Sequence, residues 1–152
     1  MFDHEDLLAG LDESLPLGRK LEALHARIRR DLPFVDRVAV ASFEPRTAML
    51  RTFLSSGGDL ALVRYEAPLS QAPSLQEILA TGRPRVVNDL RLFAAGPHEH
   101  TQAVARQGFG SSYTRPIRLN GQVWGFLFFN SVATGPFKIG RASCRERVCY
   151  AV

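Results

Sequence analysis

The segment that most constrains the fold is residues 118–131, RLNGQVWGFLFFNS. Its Asn120-Gly121 pair separates two apolar runs, and both residues tolerate positive φ, so the sequence predicts a two-residue type I′ β-hairpin. Strand side chains alternate. The second strand therefore places Val123, Gly125, Leu127 and Phe129 on one face and Trp124, Phe126 and Phe128 on the other. A strand that is apolar on both faces is normally central in its sheet and covered on both sides. The cover is either helices alone or helices together with a ligand.

The rest of the chain alternates short helices and strands. Apolar residues spaced by three and four predict an amphipathic first helix, whose stripe is Leu17, Leu21, Leu24 and Ile28. A capping box from Ser74 to Glu77 begins a second helix, which ends at Gly82. Strands are predicted over residues 37–43, 48–54, 61–67, 85–89, 111–119 and 122–131, and a third short helix over residues 98–107. These elements define an α+β domain with one antiparallel sheet and helices packed on it.

Length and composition indicate one globular domain. The chain has 152 residues, no apolar run long enough to span a membrane, and no basic stretch preceding an apolar segment at its N-terminus. We therefore expect a cytoplasmic protein without a membrane partner. Residues 138–152 contribute +3 of the formal net charge of +4, so the basic character belongs to the tail and not to the domain. No nucleic-acid partner is expected on this ground.

The tail itself looks foreign to the domain. Residues 139–148, IGRASCRERV, match a translated reading frame of a common sequencing adapter over ten consecutive positions. We interpret residues 138–152 as a non-native tail, the alternative being a genuine basic C-terminal extension. Both cysteines, Cys144 and Cys149, lie in this tail. Without it the chain has no thiol for a nucleophile, a disulfide or a metal ligand.

Two stretches resemble the GAF domain family. They are SLQEILATGRPRVVNDL (residues 74–90) and GFGSSYTRPIRLNGQVWGFLFFNS (residues 108–131), which follow a helix and a β-hairpin in the family's order. The resemblance covers residues 15–137, after a leader at residues 1–14. It implies a five- or six-stranded antiparallel sheet with helices packed on both faces and a pocket over one of them.

The resemblance also implies a regulatory role. GAF domains are usually sensory modules of bacterial signalling proteins, so we expect a domain that binds a small metabolite over the sheet and relays to a C-terminal output domain. A kinase, a diguanylate cyclase or an HD-GYP phosphodiesterase would be such an output domain, lying outside this sequence. The alternative is a ligand-free dimerisation and relay module with a filled pocket. An open cavity with convergent polar groups would favour the sensor, and a filled one the relay.

Departures from the family's catalytic and chromophore branches lead us to expect no enzyme, no catalytic residue and no cofactor. Asn88 is followed by Asp89 where cyclic-nucleotide binders have an Asn-Lys pair, and the domain has no cysteine for bilin attachment or for methionine-sulfoxide reduction. His98 and His100 could hold a metal, but their H-x-H spacing fits a solvated loop better. His25 is expected on the surface.

Four residues are the candidate ligand site: Asp89, His98, Tyr113 and Arg115. Asp89 ends a strand, His98 lies in the loop that follows, and Tyr113 and Arg115 share one face of the next strand. A cationic Arg115 would favour a carboxylate-bearing or otherwise anionic metabolite. The alternative is that Asp89 caps its own loop and Arg115 faces solvent.

Other polar features have simpler interpretations. Ser112 and Asn130 are interpreted as strand-end hydrogen bonding, and the basic cluster Arg27, Arg29 and Arg30 as a complement to the first helix's dipole. The helix is also the predicted surface for a homodimer, because its stripe can face a partner helix. The sequence does not identify the ligand.

Overall fold

The computed structural model describes residues 16–56, 63–93 and 104–137. Its helices are α1 (Leu17–Asp31) and α2 (Pro73–Thr81), with short 3₁₀ turns at Leu69–Gln71 and Leu90–Phe93 and one helical turn at residues 104–106. Its strands are β1 (Arg37–Glu44), β2 (Met49–Ser55), β3 (Val63–Pro68), β4 (Arg85–Val87), β5 (Ser111–Leu119) and β6 (Gln122–Ser131). They form one six-stranded sheet in the order β3-β2-β1-β6-β5-β4. Every neighbouring pair is antiparallel, so the predicted fold class is confirmed.

The hairpin predicted from the Asn-Gly pair is confirmed. Asn120 and Gly121 have φ values of 51° and 78°, as a type I′ turn requires. The β6 strand lies between β1 and β5, and both of its faces are covered from Gly125 onward, whereas Trp124 is 39% exposed. Leu127 and Phe129 belong to one core, while Phe126 and Phe128 belong to the other.

The first core lies between the sheet and α1. Leu21 and Ile28 of α1 are buried there against strand residues. The cluster comprises Leu21, Ile28, Leu32, Val35, Val38, Val40, Leu54, Tyr113, Leu127, Phe129 and Phe137. Leu17 is 53% exposed, so the apolar stripe of α1 extends beyond what the sheet covers.

His25 is buried, and the expectation of a surface position is wrong. Its Nε2 lies 2.8 Å from the Val35 carbonyl oxygen, and its Nδ1 lies 2.9 Å from Ser56 Oγ. A carbonyl only accepts, so Nε2 carries the proton and Nδ1 accepts from the Ser56 hydroxyl. The Val38 amide in turn donates to Ser56 Oγ at 2.9 Å. This chain of hydrogen bonds ties α1 to the start of β1 and the end of β2.

The second core lies on the other face, under α2. Leu69, Ala72, Leu75 and Ile78 pack there against Phe126 and Phe128. The predicted capping box is wrong, because the helix begins at Pro73 and its N-cap, Ala72, makes no side-chain cap. Proline at the first helical position is pre-organised for that place, which leaves Ser74 inside the first turn. The predicted helix end is confirmed, since Gly82 adopts φ 68° and its amide donates to the Ile78 carbonyl.

Several sequence predictions fall wholly or partly outside the described residues. They are the leader at residues 1–14, the tail at residues 138–152, and residues 98–103 of the third helix. Within the described ranges, neither α1 nor α2 is long and apolar enough to cross a membrane.

Candidate ligand pocket

A small cavity lies on the α2 face of the sheet, where α2, β4 and β5 meet. Its volume is about 20 Å³, enough for one or two water molecules. The lining residues are Ser74, Leu75, Ile78, Arg85, Val87, Leu90, Val104, Ser112, Thr114 and Phe128. The lining thus combines an apolar floor with three hydroxyls and one cation. This pattern is typical of ligand sites, which pair apolar walls with a few placed polar groups.

The three hydroxyl residues are almost fully buried. Ser74, Ser112 and Thr114 are 6%, 7% and 8% exposed. Neither Ser74 nor Thr114 has a side-chain hydrogen bond in the described parts of the chain, where both could donate and accept. Neither hydroxyl is among the fully buried atoms without a hydrogen-bond partner in the described residues. Both hydroxyls can therefore bond to a water or a ligand group that reaches them.

The hydroxyl of Ser112 is oriented by a polar row that crosses three strands. Arg37 Nε on β1 donates to Asn130 Oδ1 on β6 at 3.0 Å, and Asn130 Nδ2 donates to Ser112 Oγ on β5 at 3.1 Å. Because Ser112 Oγ is an acceptor in this row, its own proton is available to donate elsewhere. Ser112 and Asn130 do form the hydrogen bonds expected at the strand ends, and Ser112 also lines the cavity.

Arg37, the buried first residue of the inner strand β1, anchors this row. Its Nη1 donates to Gln107 Oε1, and its guanidinium lies 4.3 Å from the centre of the Phe109 ring. Removal from water lowers the pKa of Arg37 to about 10. The contacts to Gln107 and Phe109 fasten the segment after the helical turn at residues 104–106, and Val104 of that turn lines the cavity.

Arg85 is the cation of the lining. Burial lowers the pKa of its guanidinium, and the negative charge of Glu77 partly opposes that effect. Glu77 is exposed and does not line the cavity. Within the described lining, Arg85 is the charged residue, and its charge is positive.

Neither strand residue of the sequence-based site faces this cavity. Tyr113 belongs to the α1-side core, where its ring centre lies 5.8 Å from that of Phe129 and 6.2 Å from that of Phe137. Arg115 pairs with Leu127, so it also points to the α1 side. Tyr113 and Arg115 do not line this cavity, because the alternation of β5 turns Ser112 and Thr114 to it instead; a ligand site at Tyr113 and Arg115 stays a prediction.

The structure does not bring Asp89 together with Tyr113 and Arg115. Asp89 binds Arg91 through both carboxylate oxygens, at 2.8 and 2.7 Å, and this bond lowers the pKa of Asp89. Asp89 Oδ1 also accepts from the Arg91 amide at 3.0 Å, so Asp89 caps its own loop, as the alternative interpretation held. His98 lies outside the described residues. Arg115 Nη1 is buried with no hydrogen-bond partner in the described segments, so Arg115 neither opens into this cavity nor forms an ion pair there.

Comparison with known proteins identifies the family. The sequence matches the GAF domain family over residues 21–145, and the chain belongs to this family. The match begins inside α1 and continues past Phe137. No curated protein sequence matches the chain.

Solved structures share the fold at low sequence identity. The phycocyanobilin-bound GAF domain of a cyanobacterial phytochrome is 19% identical with a TM-score of 0.62, covering 99% of this chain and 90% of that one. The GAF domain of an Acinetobacter phosphoenolpyruvate-protein phosphotransferase is 11% identical with a TM-score of 0.63, covering 98% and 86%. Free methionine-R-sulfoxide reductase from Neisseria meningitidis, solved with its substrate, is 17% identical with a TM-score of 0.62, covering 97% and 80%. At these identities the likeness establishes the fold alone.

Proposed function

We propose that this domain is the sensory part of a bacterial signal-transduction protein and binds a small molecule in the cavity between α2 and β5. Membership of the GAF family supports a regulatory role. Structures of the same fold carry a bilin in a phytochrome and a substrate in a sulfoxide reductase. The domain would act in the cytoplasm, without catalysis of its own, on an output domain such as a kinase, a diguanylate cyclase or an HD-GYP phosphodiesterase.

One observation carries the ligand-binding proposal. As whole residues, Ser74 and Thr114 are more than nine-tenths buried; they line a cavity, and their side chains have no hydrogen-bond partner in the described residues. A wall that served packing alone would be more stable with alanine and valine at these positions. Hydroxyls in such places fit a site whose partner arrives from outside.

The two-sided packing of the sheet offers a route for the signal. Phe128 faces the cavity, and the next residue, Phe129, packs in the core beneath α1. A ligand that moves β6 on one face therefore changes the packing on the other. The domain would then have two arrangements of α1 on the sheet. The ligand can change their populations only as far as it binds one arrangement more tightly than the other.

A ligand-free relay is the second candidate. The cavity volume of about 20 Å³ is far below the usual size of a small-molecule pocket, about 300 Å³ or more, which favours a filled interior. The 53% exposure of Leu17 favours a partner helix on the remaining stripe of α1. In this reading the domain pairs with a second copy through α1 and transmits its geometry without a ligand.

Ligand screening by thermal denaturation separates the two candidates. A metabolite at one hundred times its Kd stabilises a fold of this size by about 2.7 kcal/mol and raises Tm by about 5 to 10 °C. The Ser74→Ala variant should lose affinity for such a ligand, while Ser70→Ala, at an exposed position four residues earlier, should not. Absence of any stabilising metabolite, together with a dimer in sedimentation, would replace the sensor by the relay. A strict monomer would remove the relay.

A further inference from the structure

Each of the three hydroxyl groups around the cavity can act there as a hydrogen-bond donor. Asn130 already donates to Ser112 Oγ, which leaves the Ser112 proton to point away from that bond. Ser74 and Thr114 each have a proton with no acceptor in the described residues. Among the described lining residues there is no aspartate, glutamate, asparagine or glutamine side chain that could accept these protons.

The electrostatic field at the cavity has the matching sign. Arg85 lines the wall and bears a positive charge, while Glu77 lies outside the lining and is exposed to solvent. Ser74 occupies the first turn of the nine-residue helix α2, where the helix dipole is positive. A group that is negative and only accepts can bond to all three hydroxyls as donors, and the guanidinium and the helix N-terminus favour its charge.

We infer that the cavity between Ser74, Arg85, Ser112 and Thr114 binds the oxyanion group of the signal molecule, a carboxylate or a phosphate. The inference rests on the proposed sensory function and adds the chemical class of the ligand. The small volume fits this one group, and the apolar residues Leu75, Ile78 and Phe128 adjoin it. A ligand with a short apolar portion next to its anionic group therefore matches the wall.

Titration of the full chain with small probes tests the inference. Acetate, inorganic phosphate and the neutral isostere acetamide are compared by calorimetry at constant ionic strength, with sodium chloride as the reference salt. Probes of this size bind at best weakly, with Kd on the order of millimolar. Acetate or phosphate should bind at least about tenfold more tightly than acetamide, because a hydrogen bond to a charged group is about twice as strong as a neutral one.

Matched variants locate the binding. Thr114→Val keeps the shape of the side chain and removes its donor, while Thr134→Val makes the same change at an exposed position. Arg85→Met removes the cation of the lining, while Arg83→Met removes an exposed one two residues away. The cavity variants should weaken the oxyanion about 10- to 100-fold, and the exposed variants should leave it unchanged.

The outcomes separate this inference from the proposed function. Binding of acetate without phosphate, or the reverse, supports the inference and identifies the ligand's anionic group. Equal binding of acetamide and acetate overturns it. Binding of a neutral metabolite with no oxyanion binding overturns it as well, while the sensory function stands. If neither the probes nor any metabolite binds, both fall together.

Discussion

The side chain of Asn130 holds the polar row of the sheet together, and its loss should be costly. It is fully buried, accepts from Arg37 Nε, and donates to Ser112 Oγ. The Asn130→Ala change leaves the buried Arg37 Nε without this acceptor. Ser112 can turn its hydroxyl, but no longer receives a donor from β6.

The magnitude follows from the two hydrogen bonds. A bond to a charged donor contributes about 1.5–3 kcal/mol, and a neutral one about 0.5–1.5 kcal/mol. Asn130→Ala should therefore lower the free energy of unfolding by about 3 kcal/mol. Asn88→Ala is the matched control, because Asn88 is exposed, and it should change stability by less than about 0.5 kcal/mol.

Urea denaturation followed by Trp124 fluorescence measures these differences, because the protein contains one tryptophan. A double-mutant cycle with Arg37→Met isolates the Asn130–Arg37 bond, for which we expect a coupling energy of about 1.5–3 kcal/mol. A coupling below about 0.5 kcal/mol would refute the polar row as a stabilising element.

Three further predictions concern the sheet, a loop and the tail. Gly125→Ala should destabilise the fold by about 1–3 kcal/mol in urea denaturation, because the added Cβ would lie 2.5 Å from the Ala41 carbonyl oxygen; wild-type stability would contradict this contact. Asp89→Asn should lower Tm at neutral pH and low salt, and this loss should shrink below about pH 4 and vanish below the lowered pKa of folded Asp89, since the carboxylate stabilises the loop only while it is ionised; an equal loss at the lowest pH would exclude the pairing with Arg91. Removal of residues 138–152 should leave Tm unchanged, and a loss of several degrees would contradict a non-native tail.

Much of the fold could be predicted from local signals. The Asn120-Gly121 turn predicted the β5–β6 pairing, and the two strands have the predicted boundaries, although their register shifts by one residue between Ile117 and Arg118. The burial of His25 could also have been predicted from the sequence. His25 follows Leu21 by four positions and precedes Ile28 by three, so it lies on the same buried face of α1. At α2, Pro73 indicated the helix start better than Ser74 did, because proline fits the first helical position. A capping residue has to precede that position, and Ser74 follows it.

The site could not be predicted, because strand alternation defines two faces without saying which one carries the pocket. In SSYTRPI the larger polar residues, Tyr113 and Arg115, point to the α1 side, and the small hydroxyls of Ser112 and Thr114 point to the cavity. Both faces of the partner strand β6 are apolar, so its sequence does not indicate which face of the sheet carries the pocket. The face that carries the cavity is decided only when α1 packs on one side of the sheet and α2 on the other.

Methyl-resolved NMR during an acetate titration tests the central claim most directly, namely that the ligand site is the donor-lined cavity on the α2 face. The methyl groups of Leu75, Ile78 and Thr114 report on the cavity, and those of Leu21 and Leu127 report on the α1 side. The account predicts saturable shifts at the cavity methyls and much smaller ones under α1. Shifts confined to the α1 side, or no saturable shift at either face, would contradict it.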